Sequence, residues 1–190
     1  MCVLLVGAIA YKVVSDQPAP RIPSMANPGA AASAGPPEAA GPAPDISRMT
    51  PRERFDRLFN RIMQAASDGD TAEVVRFTPM ALGAYAQLDS FDTDARYHAA
   101  VLQLQAGDAS AAAALADTIL AEAPGHLFGY VVRGAAAQLR NDAAALARAR
   151  RDFLARFPAE RAAGRPEYAE HAPVIEDFNR EAVEARGTDE

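Results

Sequence analysis

The side chains that could carry acid–base or metal chemistry are few and far apart in this sequence. Histidine occurs at three positions, His98, His126 and His171. Glu167 and His171 are four residues apart and would share one face of a helix, but two ligands do not make a zinc site. We therefore expect His171 to form a hydrogen bond between the C-terminal element and the preceding helices.

Other patterns that carry chemistry are missing from the sequence. Serine and threonine are sparse, and neither a nucleophile elbow nor a glycine-rich phosphate loop occurs. The one cysteine, Cys2, lies in the apolar N-terminus, so there is no disulfide framework and no thiol cluster for a metal. We predict no catalytic residue, no metal, no cofactor and no small-molecule substrate, and hence a protein that is not an enzyme.

The composition favours a helical protein with a thin core and disfavours nucleic acid as a partner. Hydrophobic residues make up 49% of the chain, but many of them are alanine and tryptophan is absent, so the core must come from closely packed helices. The formal net charge is -6 at pH 7, whereas phosphate binding needs a basic face. The alternating pattern of strands is not found, and we expect no β-strand.

The N-terminal part of the chain predicts a tether. Residues 1–14 contain an unbroken apolar stretch of about 11 residues, against about 20 for a spanning helix. It is interpreted as the second half of a transmembrane helix that starts upstream of Met1, as a short uncleaved anchor or degenerate signal, or as an apolar tip that packs on something else. Tyr11 and Lys12 favour an anchor, because both residue types are common at a membrane surface.

Residues 15–49 form a linker rich in alanine and proline, which we expect to be disordered because it holds too little apolar surface to offset the entropy of ordering. An apolar tip, a flexible linker and a folded domain are the layout of a tethered module. We therefore expect a protein anchored in a bacterial inner membrane, with its domain facing the periplasm.

The folded domain is predicted to begin at Thr50, with a capping residue, a proline at the first helical position and a glutamate three residues after the cap. Further helices follow as far as a last one that opens at Pro173. Prolines are expected to interrupt two of them: Thr78-Pro79 either kinks one helix or restarts it, and another helix ends before Pro158. The helix before residue 165 is basic and the C-terminal end is acidic, and we expect these two surfaces to attract each other rather than to bind an acidic ligand.

Residues 93–126 and 127–160 repeat one helix-turn-helix pattern at a spacing of 34 residues. The positions that coincide are Gly107-Asp108 with Asn141-Asp142, Leu120 with Leu154, and Pro124 with Pro158. A period of this length is typical of stacked helical arrays. Small residues, among them Ala100, Ala112 and Gly134, stand where paired helices must approach closely.

This spacing and these residues resemble the tetratricopeptide repeat family. The resemblance implies an all-α fold, a right-handed stack of antiparallel helix pairs (an α-solenoid) over residues 50–190. Its parts are a degenerate pair at 50–92, the repeats at 93–126 and 127–160, and a C-terminal capping helix within 161–190. Arg96 departs from the family, because it stands where a large aromatic residue is usual. A generic helical bundle is the alternative.

The resemblance also implies a function. In tetratricopeptide arrays the first helices line a concave groove that binds proteins or peptides, and here that role falls on Tyr97, Val101, Phe128, Val131 and Gln138. Mostly apolar or aromatic positions suit an amphipathic partner helix. In the alternative interpretation the chain's own helices, such as 51–66, fill the groove. We expect a membrane-tethered interaction or assembly scaffold without catalytic activity, or else a self-associating structural domain.

Overall fold

The computed structural model describes residues 49–188, and this part of the chain contains eight helices and no strand. The helices are α1 (Pro51–Asp68), α2 (Thr71–Tyr85), α3 (Thr93–Gln105), α4 (Ala109–Glu122), α5 (Leu127–Leu139), α6 (Ala143–Ala163), α7 (Pro166–Glu170) and α8 (Ala172–Thr188). Helix accounts for 83% of these residues, which confirms the all-α prediction.

The prediction of a membrane-anchored protein is contradicted. Within residues 49–188, no helix combines the length and the hydrophobicity that a bilayer crossing requires. The apolar stretch at 1–14, from which the anchor was predicted, and the linker up to residue 48 lie outside the described residues.

The start of α1 follows from its capping residues as predicted. The Glu53 amide donates to Thr50 Oγ1 at 3.2 Å, and the Thr50 amide donates back to Glu53 Oε2 at 2.8 Å. Pro51 takes the first helical position, where its missing N–H is not needed. The helix ends at Gly69, whose φ of 77° is the left-handed conformation that favours glycine.

Two prolines predicted to interrupt helices do not end them. Pro79 lies inside α2 and Pro158 lies inside α6, and each helix continues past its proline. A proline frees the carbonyl four residues before it. Here those carbonyls belong to Val75, which is exposed, and to Leu154, which is partly exposed, so water can reach them. The predicted restart at Pro79 and the predicted end before Pro158 were therefore wrong.

Three helical hairpins share one turn design. The turn residues Gly69, Gly107 and Asn141 have positive φ angles of 77°, 80° and 55°. In each case an aspartate follows, and its carboxylate caps the next helix. The amide of that aspartate also donates to a carbonyl five residues earlier, at 2.8 Å, 2.8 Å and 2.9 Å. The first pair, predicted to be degenerate, thus has the same turn as the two repeats.

The helices enclose two adjoining cores. The first lies between α1, α2 and α3 and includes Phe55, Ile62 and Phe77; the second extends from α3 to α8 and includes Phe128 and Phe153. Each helix from α1 to α6 packs on the next, α3 also packs on α5, and α8 packs on α6 and α5. The two cores meet along α3, which contributes residues to both.

The C-terminal helix closes the second core. Phe178 of α8 meets the ring of Phe153 edge-on, with 4.9 Å between centroids. At the surface, Arg150 pairs with Glu181 and Arg161 pairs with Glu176, both at 3.1 Å. These ion pairs join the basic helix to the acidic end, as the sequence predicted. Of the two, Arg161–Glu176 is exposed and Arg150–Glu181 is half-buried. An exposed pair contributes little stability, and the apolar contacts of Phe178 also hold α8 in place.

The fit of Phe178 leads to a prediction at Gly134 of α5. A Cβ atom built on Gly134 would overlap the Phe178 ring and lie 3.6 Å from Leu146. We expect Gly134→Ala to lower the free energy of unfolding by about 1–3 kcal/mol, because the added methyl overpacks the contact. Urea denaturation followed by circular dichroism measures this loss.

Gly83→Ala in α2 is the matched control, because a Cβ atom there would meet nothing within 4 Å. Alanine is up to about 1 kcal/mol better than glycine inside a helix, so this variant should be as stable as the native protein or more so. A Gly134→Ala protein that is no less stable than the native protein would contradict the contact between α5 and α8.

Candidate functional site

Most of the predicted groove is buried in the structure. Tyr97, Phe128 and Val131 retain 5%, 0% and 5% of their surface. Val101 is partly buried against both cores, and only Gln138 is exposed. Four of the five side chains therefore belong to the packing of the domain and are not available to a partner in this structure.

This face of α3 and α5 is covered by Tyr168 of α7 and by His171, which joins α7 to α8. The His171 ring meets Tyr97 and Phe128 edge-on, with centroids 4.9 and 5.2 Å apart. Tyr168 contacts Phe128 in the same way at 5.5 Å. The chain thus covers Tyr97 and Phe128 with its own residues around 168–171, while Val101 also packs against the core that contains 51–66.

This contact creates a cluster of Asp94, His98 and His171. His171 Nε2 lies 3.1 Å from Asp94 Oδ1 and 3.1 Å from His98 Nε2, and His98 Nε2 lies 3.6 Å from the same carboxylate oxygen. The expected hydrogen bond from His171 to the preceding helices is confirmed. The sequence did not predict that two further polar side chains would meet it.

Aromatic packing fixes both imidazole rings. Phe59 of α1 stacks on His98 with 3.9 Å between centroids and 16° between planes. His171 is held by its edge contacts to Tyr97 and Phe128. The side chains of Asp94, His98 and His171 remain 20%, 12% and 18% exposed, so solvent reaches the cluster.

An arginine orients the carboxylate of the cluster. Arg52 of α1 reaches Asp94 Oδ2 at 3.1 Å and also pairs with Asp56 and Asp92. Arg52 therefore occupies one oxygen of Asp94 and leaves Oδ1 facing the two histidines. Three carboxylates around one guanidinium give this corner a net negative charge.

Burial and the neighbouring charged groups shift the pKa values of Asp94 and His98 in opposite directions. Burial would raise the pKa of Asp94, but the hydrogen bond from His171 and the neighbouring positive charges outweigh it and hold that pKa below its usual value. Burial lowers the pKa of His98 to about 4, against the opposing pull of Asp94. At neutral pH, Asp94 is therefore ionised and His98 is uncharged.

A second polar contact lies at the start of α5. The Phe128 amide donates to His126 Nδ1 at 3.4 Å, which makes the histidine the N-cap of that helix. Since Nδ1 accepts, Nε2 carries the proton and donates to Glu167 at 3.1 Å. The Leu127 amide donates to the Tyr168 hydroxyl at 2.9 Å. Two residues of α7 thus complete the first turn of α5.

Part of this arrangement has a signal in the sequence. Asp94 and His98 are four residues apart on one predicted helix, so their shared face could have been recognised. The third member, His171, is 77 residues from Asp94 and 73 from His98. No local pattern joins positions that far apart, because their contact depends on where the C-terminal segment docks.

The comparisons with known proteins give no relative. No protein-family model matches the chain, no curated protein is detectably similar to it, and no solved structure matches its fold. The resemblance to tetratricopeptide repeats therefore rests on the sequence pattern alone.

His126 gives a prediction of pH dependence. Burial lowers its pKa below the ordinary 6.5, while Glu167 opposes and Arg165 adds to the shift. Its stabilising contribution is therefore complete above about pH 6.5 and is lost as the pH falls towards the lowered pKa. We expect the His126 ring to titrate below 6.5 in an NMR titration.

The unfolding free energy should follow the same course. It should fall below pH 6.5 in the native protein, and less steeply in His126→Asn, which keeps a capping residue but has no imidazole to protonate. A His126 ring that titrates at or above 6.5 would contradict the buried, neutral state of this side chain.

Proposed function

We propose that this domain is a non-catalytic protein-interaction module that docks a helix on the outward face of α2, and that this helix is α2 of a second copy of the chain. We also propose that the three hairpins form a right-handed stack of the tetratricopeptide kind, a proposal supported by the 34-residue spacing of the turns at Gly107 and Asn141. The two proposals are independent of each other.

The exposed apolar side chains of α2 carry the interaction proposal. Among residues 49–188, four large hydrophobic side chains are exposed, and two of them lie on α2: Val75 at 65% and Met80 at 50%. The outer faces of α4 and α6, the second helices of the next two hairpins, carry exposed residues that are small, polar or charged. The chain thus places large apolar residues on one outer face out of three.

On the surface of α2, most of the exposed residues that lie between the side chains of Val75 and Met80 are small, so this face can accommodate a docking helix. Ala72, Pro79, Gly83 and Ala86 are also exposed, and at 100° per residue they fall between the two larger side chains. Arg76 is exposed in the same arc, and its guanidinium lies 5.1 Å from the centroid of the Phe77 ring. Gly83 weakens α2 relative to alanine, although nothing in the described structure would meet its Cβ atom. A second backbone approaching this face would account for the missing side chain.

A second copy fits the order of large and small residues. In an antiparallel pairing centred on Pro79, Val75 of one copy faces Gly83 of the other, and Ala72 faces Ala86. A two-fold interface needs this self-complementarity, because each contact occurs twice. A single helix face buries less surface than a standard stable interface, so we expect a weak dimer that forms in the micromolar range.

The experiment is sedimentation of the full chain over a concentration series. The native protein should pass from monomer to dimer, and the double variant Val75→Lys, Met80→Lys should stay monomeric, because lysine charges would be buried in the interface. Both positions are exposed in the monomer, so its fold should not change. Val183→Lys, at a 44% exposed position on α8, is the matched control and should dimerise like the native protein.

Gly83→Ala sharpens the experiment, because it should preserve or increase the stability of the monomer while weakening the dimer. Two results would overturn the second copy as the occupant: a native protein that remains monomeric, or dimers that survive the double lysine variant. If the native protein is a monomer, a purified amphipathic helix can be added and the α2 resonances followed. A shift in the native protein that is absent in the lysine variant would show that the same surface binds a different partner.

A further inference from the structure

We propose that Asp94, His98 and His171 form a binding site for a divalent transition-metal ion, with Zn²⁺ as the best match. The ion would bind Asp94 Oδ1 and the Nε2 atoms of the two histidines. This inference goes beyond the interaction function and does not depend on the α2 surface.

The distances between the three atoms have the dimensions of a metal site. They are 3.1, 3.1 and 3.6 Å, and ligands in a tetrahedral zinc site stand about 3.3 Å apart when each is about 2.0–2.1 Å from the ion. The circle through the three atoms has a radius of about 1.9 Å, so a point at zinc-ligand distance from all three lies just outside their plane.

The orientation of the rings agrees with this geometry. The centroids of His98 and His171 are 5.0 Å apart and their planes are inclined by 76°. Two imidazoles bound through Nε2 to one tetrahedral ion would have centroids about 5 Å apart. The rings therefore need little movement to share an ion.

Protons alone leave one lone-pair contact in the cluster. A proton on His171 Nε2 is donated either to Asp94 or to His98, and without that proton its lone pair faces the carboxylate at 3.1 Å. With the proton on His171 Nε2, both 3.1 Å contacts pair a donor with an acceptor, and the lone pairs of His98 Nε2 and Asp94 Oδ1 are left facing each other at 3.6 Å. A cation resolves this conflict, because all three atoms can then act as electron-pair donors.

The surroundings favour a cation and hold its ligands in place. Asp56, Asp92 and Asp94 outweigh the single charge of Arg52, and Arg52 orients the carboxylate from its far side. Phe59 fixes His98 by stacking. Histidine nitrogen and carboxylate oxygen are ligands that zinc accepts, and three protein ligands leave one position for water.

The second ring nitrogen of His98 limits the zinc affinity that we expect. His98 Nδ1 is buried and has no hydrogen-bond partner among the described residues, whereas a metal-bound histidine normally donates from its second nitrogen. Loss of such a partner typically costs a factor of about 10–100 in affinity. We therefore expect micromolar rather than nanomolar binding.

The test is a zinc titration of the untagged full chain by calorimetry, in a Cys2→Ser background so that the one thiol adds no ligand. We expect one equivalent of Zn²⁺ to bind, and Co²⁺ in its place to show the visible absorption of a tetrahedral ion. At a hundredfold excess of free zinc over Kd, the Tm should rise by roughly 10 °C.

Asp94→Asn and His171→Gln should each weaken zinc binding at least tenfold. His126→Asn and Asp117→Asn, which remove a histidine and an exposed carboxylate outside the cluster, should bind zinc like the native protein. No saturable binding to the native chain, or equal affinity in the cluster variants and the controls, would overturn the site.

A further measurement covers the case in which the cluster variants do not fold. In the native protein, the imidazole resonances of His98 and His171 should shift together and saturate at one equivalent of zinc, while those of His126 stay in place. Zinc binding that leaves the rings of His98 and His171 unchanged would exclude the site without any substitution.

Discussion

The docking of the C-terminal segment on α3, α5 and α6 determines most of what is distinctive in this domain. The residues that face inward are Tyr168, His171, Ile175 and Phe178, at spacings of three and four that place them along one side. Phe178 fills the space left by Gly134, Tyr168 covers Phe128, and His171 reaches Asp94. Without this segment the second core would lie open, because alanine-rich helices have little apolar surface of their own to cover it.

Polar contacts fix the register of that docking. The Tyr168 hydroxyl accepts the Leu127 amide, and Glu167 accepts the proton of the fully buried His126. A shift of the segment by one helical turn would leave both donors buried without an acceptor, at about 1–3 kcal/mol each. Apolar contacts alone are less selective, because one alanine or leucine replaces another at small cost. The apolar contacts supply the attraction, and the polar contacts select one position.

Sequence reasoning succeeded where a short segment of chain decides the structure. The cap at Thr50 depends on a few adjacent residues and was predicted from them. The helix-turn-helix pattern that aligns Gly107-Asp108 with Asn141-Asp142 was likewise predicted, and each pair forms a turn whose aspartate caps the next helix. The restart at Pro79 and the end before Pro158 were wrong because the effect of a proline depends on which way its side of the helix faces, and that is set by tertiary packing. Tyr97 and Phe128 were predicted to face a partner because the sequence does not show that the C-terminal segment packs on them.

The candidate site shows the same division. The face shared by Asp94 and His98 is local information, whereas the arrival of His171 from 77 residues away is not. Nor does any local pattern indicate that Arg52 would hold the second oxygen of Asp94, since that contact spans 42 residues and requires α1 to lie beside α3. Capping motifs and periodicity predict elements, but a cluster built from three elements depends on how they pack.

Helix α1 explains why the chain can support two surfaces with opposite requirements. An ion site needs ligands held within a fraction of an ångström, and α1 provides this by stacking Phe59 on His98 and bonding Arg52 to Asp94. A docking surface instead needs exposed apolar residues, and these residues do not contribute to the packed core. Because α1 and α3 cover the inner side of α2, its outer side is free to carry Val75 and Met80. The cluster of Asp94, His98 and His171 thus lies on the buried side of α1, and the exposed apolar side chains lie on the outer side of α2.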